Sequence, residues 1–271
     1  MAFPLRGELC TSTFMVTPWG QWIELTQWSI SGPQGSVIKK LTDIVTMDTT
    51  EDCKKHIYSP DHLELGKKVE ELETPALIVD LNAFEHNMEL MYSRVTAKGA
   101  TWIPAVKAHK SPGLSKRILA AGGQGVLLLK ISEVEAFIKA DKDIDDIYLA
   151  NEVIDPAKIG KLVRAARQLK RLRVNVDDEE NIREIALRAH QANTVIEMMV
   201  EVDIGHHRCG VTPQEAVELA KVVDELERTT GSVRFAGITG YEGHTPVLPP
   251  DEKTKETFVQ FLFPVLPPFF F

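Results

Sequence analysis

The sequence predicts an α/β fold built as a (β/α)8 barrel of the TIM type, with seven of its strands legible. Three observations carry that prediction. Between Glu73 and Gly243, apolar runs of strand length alternate with amphipathic segments of helical length. That alternation is the pattern of a parallel sheet with right-handed crossovers. Seven units follow one another without interruption, and the helices among them carry start and stop signals. No strand-to-helix turn holds the G-x-G-x-x-G or P-loop glycines that the rival architecture, a doubly wound nucleotide-binding sheet, would use.

Taken in order, the strands read "ALIVD" (76–80), "TWIPAVK" (101–107), "GVLLLK" (125–130), "DIYLA" (146–150), "LRVNVD" (172–177), "VIEMMVEVD" (195–203) and "VRFAGITGY" (233–241). Most are near-continuous apolar runs, as expected for parallel strands covered on both faces. Along the first helix, Leu81, Phe84, Met88 and Met91 share a face and are assigned to the core. Ser132 with Glu135 reads as a capping box. Asp155-Pro156 and Thr212-Pro213 each place a cap residue before a proline at the first helical position, and Thr212 has Glu215 three residues on. Gly122 and Gly231 sit just past helix ends.

The flanks differ from this middle, and three regions are expected: an irregular extension over 1–60, the barrel over 61–245, and an atypical apolar tail over 246–271. The extension holds three of the four tryptophans without a clear period, and a polar stretch from Met47 reads like an ordinary solvated N-terminus. The tail, "FVQFLFPVLPPFFF", is broken by prolines and cannot be one helix. No eighth β/α unit is legible after Gly243, so the barrel is expected to be incomplete at its C-terminal side.

The net charge of −8 argues against nucleic acid or an anionic membrane as the main partner. Cys10, Cys53 and Cys209 have neither metal-ligand spacing nor the even count of a disulfide framework. No apolar run approaches the roughly 20 residues of a membrane span, and cytoplasm is the default compartment.

In such barrels the chemistry lies at the C-terminal ends of the strands. Lys107 ends the second run after five uncharged residues, where partial desolvation would make its neutral, nucleophilic amine accessible. A random lysine there is more often an ion-pair partner. Past the sixth run stand Asp203, His206, His207 and Arg208, and past the seventh Tyr241, Glu242 and His244. Arg208 can fork onto a carboxylate or phenolate oxygen, or pair structurally with Asp203 or Glu201. Tyr241 can stack on a planar ring or simply pack the rim. His244 suits acid/base work near neutral pH. His206 and His207 make a poor metal pair.

The segments "ETPALIVDLNAFEHNM", "AVKAHKSP", "KISEVEA", "ANEV", "VEVDIGHHRCGV" and "FAGITGYEGH" occur in this order. Together they resemble the D-threonine aldolase and D-serine dehydratase-like family, pyridoxal-phosphate enzymes whose barrel is of the alanine racemase N-terminal domain kind. The resemblance covers about Leu63 to Thr245, with "ANEV" and "RCGV" closer to the aldolase branch. It implies that Lys107 carries pyridoxal phosphate, that Arg208 lies beside an oxygen of the cofactor ring or the substrate carboxylate, and that Tyr241 packs against the pyridine. It further implies a lyase: retro-aldol cleavage of β-hydroxy-D-amino acids to glycine and an aldehyde, with His244 as a candidate proton acceptor. The alternatives are a D-serine dehydratase-like lyase and a non-catalytic pyridoxal-phosphate carrier of cofactor homeostasis. A small D-amino acid is the implied partner, and the oligomeric state is open, with a homodimer as the candidate.

The resemblance also marks departures. Ile103, Pro104 and Ala105 stand where family members commonly have Arg-Pro-His. The family's full-length enzymes use a divalent metal such as Mn²⁺ held by a C-terminal β-domain. No counterpart of that domain or its ligands is legible here, so no metal residue is assigned and weak turnover is expected of this chain alone.

Overall fold

The computed structural model describes residues 68–72, 74 and 78–243, together with Met15–Val16 and Trp22–Ile23, which pair as a two-residue antiparallel ladder. The chain divides into two compact units.

The smaller unit, over the described part of 68–102 and 111–124, is helical. Helix α1 (Leu81–Thr96) starts where the Asp80 carboxylate accepts the Ala83 N–H at 3.0 Å. Helix α2 (Pro112–Ala120) starts where the Ser111 hydroxyl accepts the Leu114 N–H, with Pro112 in the first turn where no N–H is needed. Val79, Leu81 and Leu114 are buried together, with Phe84 against them, and Arg117 pairs with Glu85 at 3.0 Å. Past α2, Gly122 takes φ 106°, and a Cβ there would overlap the Tyr92 ring. Met88 is buried but Met91 is 49% exposed, against the expectation of a core position. At about 100° per residue, Met91 stands about 80° round the helix from Leu81 and has left the buried face. Of the expected strand 76–80, residues 78–80 are described and form no strand.

The larger unit holds residues 103–110 and 125–243. Its sheet has five parallel strands: β1 (Val126–Leu128), β2 (Asp146–Leu149), β3 (Arg171–Val176), β4 (Ile196–Glu201) and β5 (Val233–Thr239). Their order in the sheet is their order in the chain. With right-handed crossovers this monotonic order places every connecting helix on the same face. A doubly wound sheet would reverse direction, so the order favours the barrel-type arrangement.

The run 101–107, expected as a full strand, contributes a single bridge, Ala105 to Leu127. The Leu127 N–H donates to Pro104 O at 2.8 Å and the Val106 N–H to Leu127 O at 3.1 Å. Pro104 itself has no N–H to extend the ladder.

Helices α3 (Ile131–Ala140), α4 (Pro156–Ala166), α5 (Glu179–Gln191) and α6 (Pro213–Thr230) cross over between strands. Asp155 caps α4 by accepting the Lys158 N–H at 2.9 Å. Thr212 and Glu215 form the expected reciprocal cap of α6, which ends on Gly231 at φ 63°. Asp178 caps α5. The box expected of Ser132 and Glu135 is displaced: α3 begins two residues earlier, with Lys130 at the cap position, and Glu133 accepts the N–H groups of Leu129 and Lys130. Glu135 pairs instead with Lys161 at 2.9 Å.

The strands are not uniformly apolar on both faces, as their composition had suggested. On one face Ile147, Leu149, Leu172, Val174, Val176, Ile196, Met198 and Val200 are buried, along with Phe137, Leu162, Ile182, Ile185 and Val223 of the helices. Each such side chain contributes about 1.5–3 kcal/mol. The alternate positions carry Asp146, Tyr148, Arg173, Asn175, Glu197 and Glu201. Period-two alternation therefore holds, with a polar second face on which Arg173, Asn175 and Glu201 are themselves buried.

A candidate active site at the C-terminal ends of the strands

Two loops and the end of β5 bring the candidate residues together. The first loop follows the Ala105 bridge. Lys107 lies in a turn closed by the Lys110 N–H donating to Val106 O at 2.8 Å. Lys110 takes φ 50° and its amine meets Glu133 at 2.9 Å. Burial raises the Glu133 carboxyl, but the hydrogen bonds from Lys110, Leu129 and Lys130 outweigh it and hold the group below the usual carboxylate range. Lys110 is thus the ion-paired lysine of this loop. Lys107 makes no ion pair among the described residues. Its side chain is exposed rather than partly desolvated as expected, because it lies beyond the strand pairing in the turn. His109 is the desolvated group here: burial pushes its imidazole down to about 4.

The second loop follows β4. Asp203 accepts the N–H groups of Gly205 and His207 at 2.9 Å each and the His207 ring nitrogen Nδ1 at 2.7 Å. These bonds hold the Asp203 carboxyl below its usual range even though burial, the largest single influence, raises it. The loop closes back on β4 through the Val202–Val211 bridge. Gly210, at φ 90°, lets the backbones meet: a Cβ there would lie 2.7 Å from Asp203 N. Its own N–H donates to Asp177 at 3.0 Å. Asp203 is committed to its own loop and is not the partner of Arg208.

Arg208, at the outer end of that loop, lies over the Tyr241 ring, its Cζ 4.3 Å from the centroid. The Lys107 amine is 5.8 Å from the same centroid, and the His206 ring meets it edge-on at 5.1 Å. A Cβ at Gly243 would overlap the Tyr241 ring, so the glycine leaves the ring its place. Two cations, an imidazole and an aromatic face thus share one spot, worth about 0.5–2 kcal/mol per cation–ring contact. His244 lies outside the described residues.

Beneath this rim is a buried polar row that the sequence reading did not assemble. Tyr148 Oη donates to Asn175 Oδ1 at 2.6 Å, and Asn175 Nδ2 donates to Glu201 Oε2. Burial, with the Glu152 carboxyl nearby, pushes the Glu201 carboxyl up to about 7. Burial pushes the Tyr148 phenol up to about 12 and raises the Cys209 thiol. The signal for these residues was present as polar letters inside apolar runs, Asn175 in "LRVNVD" and Glu201 in "VIEMMVEVD".

The residues present fit pyridoxal phosphate by the chemistry of the donor set. Lys107 offers an accessible amine without a carboxylate partner among the described residues, Arg208 a guanidinium for an anionic oxygen, and Tyr241 an aromatic face beside both. Among the described residues no group of three or more His, Cys, Asp or Glu side chains could hold a metal ion. Among them, too, no helix is long and apolar enough to cross a membrane.

Comparison with known proteins agrees with this architecture. The model for the alanine racemase N-terminal domain matches residues 79–263. The chain is 34% identical to a D-threonine aldolase from an Arthrobacter species over 194 residues, 72% of this chain and 50% of the relative. It is 38% identical to a 3-hydroxy-D-aspartate aldolase from Paracoccus denitrificans over 180 residues, 66% of this chain and 45% of the relative. The crystal structure of a D-threonine aldolase from Filomicrobium marinum superposes with a TM-score of 0.65 at 34% identity, covering 73% of this chain and 53% of that one. The chain spans about half the length of the relatives it matches. Its parallel sheet, its crossover helices and the family match over most of its length make it a member of the alanine racemase N-terminal domain family.

Proposed function

We propose that this chain is the pyridoxal-phosphate-binding part of a lyase that cleaves β-hydroxy-D-amino acids to glycine and an aldehyde. The observation that carries the reading is the convergence of Lys107 and Arg208 on the Tyr241 ring, in a chain 34–38% identical to two aldolases of such substrates. The barrel would occupy residues 61–245, between the segments 1–60 and 246–271.

Lys107 would hold the cofactor's aldehyde carbon and yield it to the substrate amine. Tyr241 would pack against the cofactor ring, and Arg208 would bind an anionic oxygen of the ring or the substrate carboxylate, fixing the orientation of the bond to be cleaved. His244 would accept the β-hydroxyl proton. When bound, the cofactor supplies the electron sink for breaking the Cα–Cβ bond.

The test uses the whole chain. Borohydride reduction with pyridoxal phosphate and peptide mapping should label Lys107, and incubation with D-threonine should release glycine and acetaldehyde, slowly, in keeping with the weak turnover expected of this chain alone. Label on Lys110 or Lys130 would move the site. Release of ammonia and an oxo acid in place of glycine would replace the aldolase reading with a dehydratase.

A further inference from the structure

We propose that Glu133 is a positioning residue of the site: by binding the Lys110 amine it withdraws that lysine from the cofactor's aldehyde carbon and anchors the turn that presents Lys107 to it. The proposal rests on the reading of Lys107 as the lysine that holds the cofactor.

The "AVKAHK" segment offers two amines within one turn, Lys107 and Lys110. Both residues are exposed, so burial does not separate them. Their partners do. The Lys107 amine lies 5.8 Å from the Tyr241 centroid, without a carboxylate among the described residues. The Lys110 amine meets Glu133 Oε1 at 2.9 Å, at the start of α3. An amine joins an aldehyde carbon through its nitrogen lone pair, and the aldehyde oxygen leaves as water with two protons from the nitrogen. As an ammonium held by a carboxylate, Lys110 has that pair bound to a proton and its position fixed on Glu133.

Glu133 is itself fixed. Its second oxygen, Oε2, accepts the N–H groups of Leu129 at 3.1 Å and Lys130 at 3.3 Å. Its side chain is 10% exposed, against 47% for Lys110. The carboxylate therefore joins the end of β1 and the start of α3 to the lysine turn. That turn is tied down on both sides of Lys107. Before it, the Val106 N–H donates to Leu127 O at 3.1 Å. After it, the Lys110 N–H closes on Val106 O at 2.8 Å and the Lys110 amine reaches Glu133. Lys110 takes φ 50°, a left-handed backbone that a residue with a Cβ holds where its surroundings fix it. Lys107 stands between the two ties, its own side chain used in neither.

The experiment uses the whole chain, first without cofactor. Trace acetic anhydride is added, and the acetylation rate of each lysine is read by mass spectrometry. In Glu133→Gln, whose amide oxygen can still accept the two N–H groups, Lys110 should be acetylated about threefold faster than in the wild type. Lys221, paired with Glu218 elsewhere, should keep its rate. Substoichiometric pyridoxal phosphate and borohydride should then label Lys107 in the wild type and divide the label between Lys107 and Lys110 in Glu133→Gln. Lys110→Met leaves the start of α3 intact and should lower the label on Lys107 about threefold. Lys110→Arg should restore it, because a guanidinium still meets Glu133 and does not compete for the aldehyde. An unchanged Lys110 acetylation rate in Glu133→Gln, or full labelling of Lys107 in Lys110→Met, overturns the proposal. Absence of label on Lys107 in the wild type would count against the cofactor reading alone, since the acetylation rates need no cofactor.

Discussion

The two ends of the parallel strands treat charge in opposite ways. At the N-terminal end, cations and carboxylates are matched. Arg171 meets Glu197 at 2.6 Å and Asp146 at 3.9 Å, Arg173 is bound to Asp146, and Arg234 lies 3.6 Å from Glu197 and 3.8 Å from Glu227. At the C-terminal end, Lys107 and Arg208 rest on an aromatic ring without an ion pair among the described residues, while burial holds the Glu201 carboxyl toward its protonated form. Matched charges hold strands in register. Cations left without carboxylates are available to an anionic ligand, and a carboxyl held toward its neutral form by burial neutralises them less. The backbone follows the same division: Lys110, His207, Gly205 and Gly210, all at positive φ, belong to the two loops of the C-terminal rim.

The comparison breaks if rim and base respond alike to mutation. Lys107→Ala should abolish borohydride-trapped pyridoxal phosphate and reduce D-threonine cleavage to background. Its urea-unfolding stability should stay within about 0.5 kcal/mol of wild type, since an exposed side chain is removed. A large stability loss would show that Lys107 is structural. At the base the pattern should invert. Arg173→Ala leaves Asp146 without its buried partner and should cost about 3–5 kcal/mol, whereas Arg171→Ala, at a side chain 42% exposed, should cost about 0–1 kcal/mol. Equal losses at the two arginines would mean that burial does not separate them.

A smaller effect separates the ends by pH. Glu201 has its folded pKa raised to about 7, so the native state binds more protons than the unfolded one between its ordinary value and 7. Stability from this group is complete at low pH and is lost as pH rises through 7. His109 has the opposite sign. Its folded pKa is lowered from 6.5 to about 4, so its contribution is present above 6.5 and is lost as pH falls toward 4. Denaturation midpoints measured across pH 4 to 8 should lose the upper slope in Glu201→Gln and the lower slope in His109→Gln, and should keep both in Arg171→Ala. The smallest effect sharpens the role of the ring. Tyr241→Phe keeps the aromatic face and should change pyridoxal-phosphate affinity less than about threefold. Tyr241→Leu removes the cation–ring contacts and should weaken it about tenfold, by titration of cofactor absorbance. A hydroxyl deletion as costly as the ring deletion would assign the phenol, not the face, to binding.

What the sequence by itself determined is mostly local. The caps at Asp155, Thr212 and Gly231 depend on residues within about one turn of each helix end and were legible as letters. Where a neighbouring choice competed, as between Ser132 and Lys130 for the start of α3, the outcome turned on where Glu133 found backbone donors. The ordered segments from "AVKAHKSP" to "FAGITGYEGH" likewise pointed to the family without coordinates, because each keeps its chemistry within a dozen residues. Only the tertiary structure decided the rest. The monotonic strand order, the shortening of 101–107 to one bridge beside Pro104, and the meeting of Lys107, Arg208 and His206 on Tyr241 are relations between residues up to 134 positions apart (241 − 107).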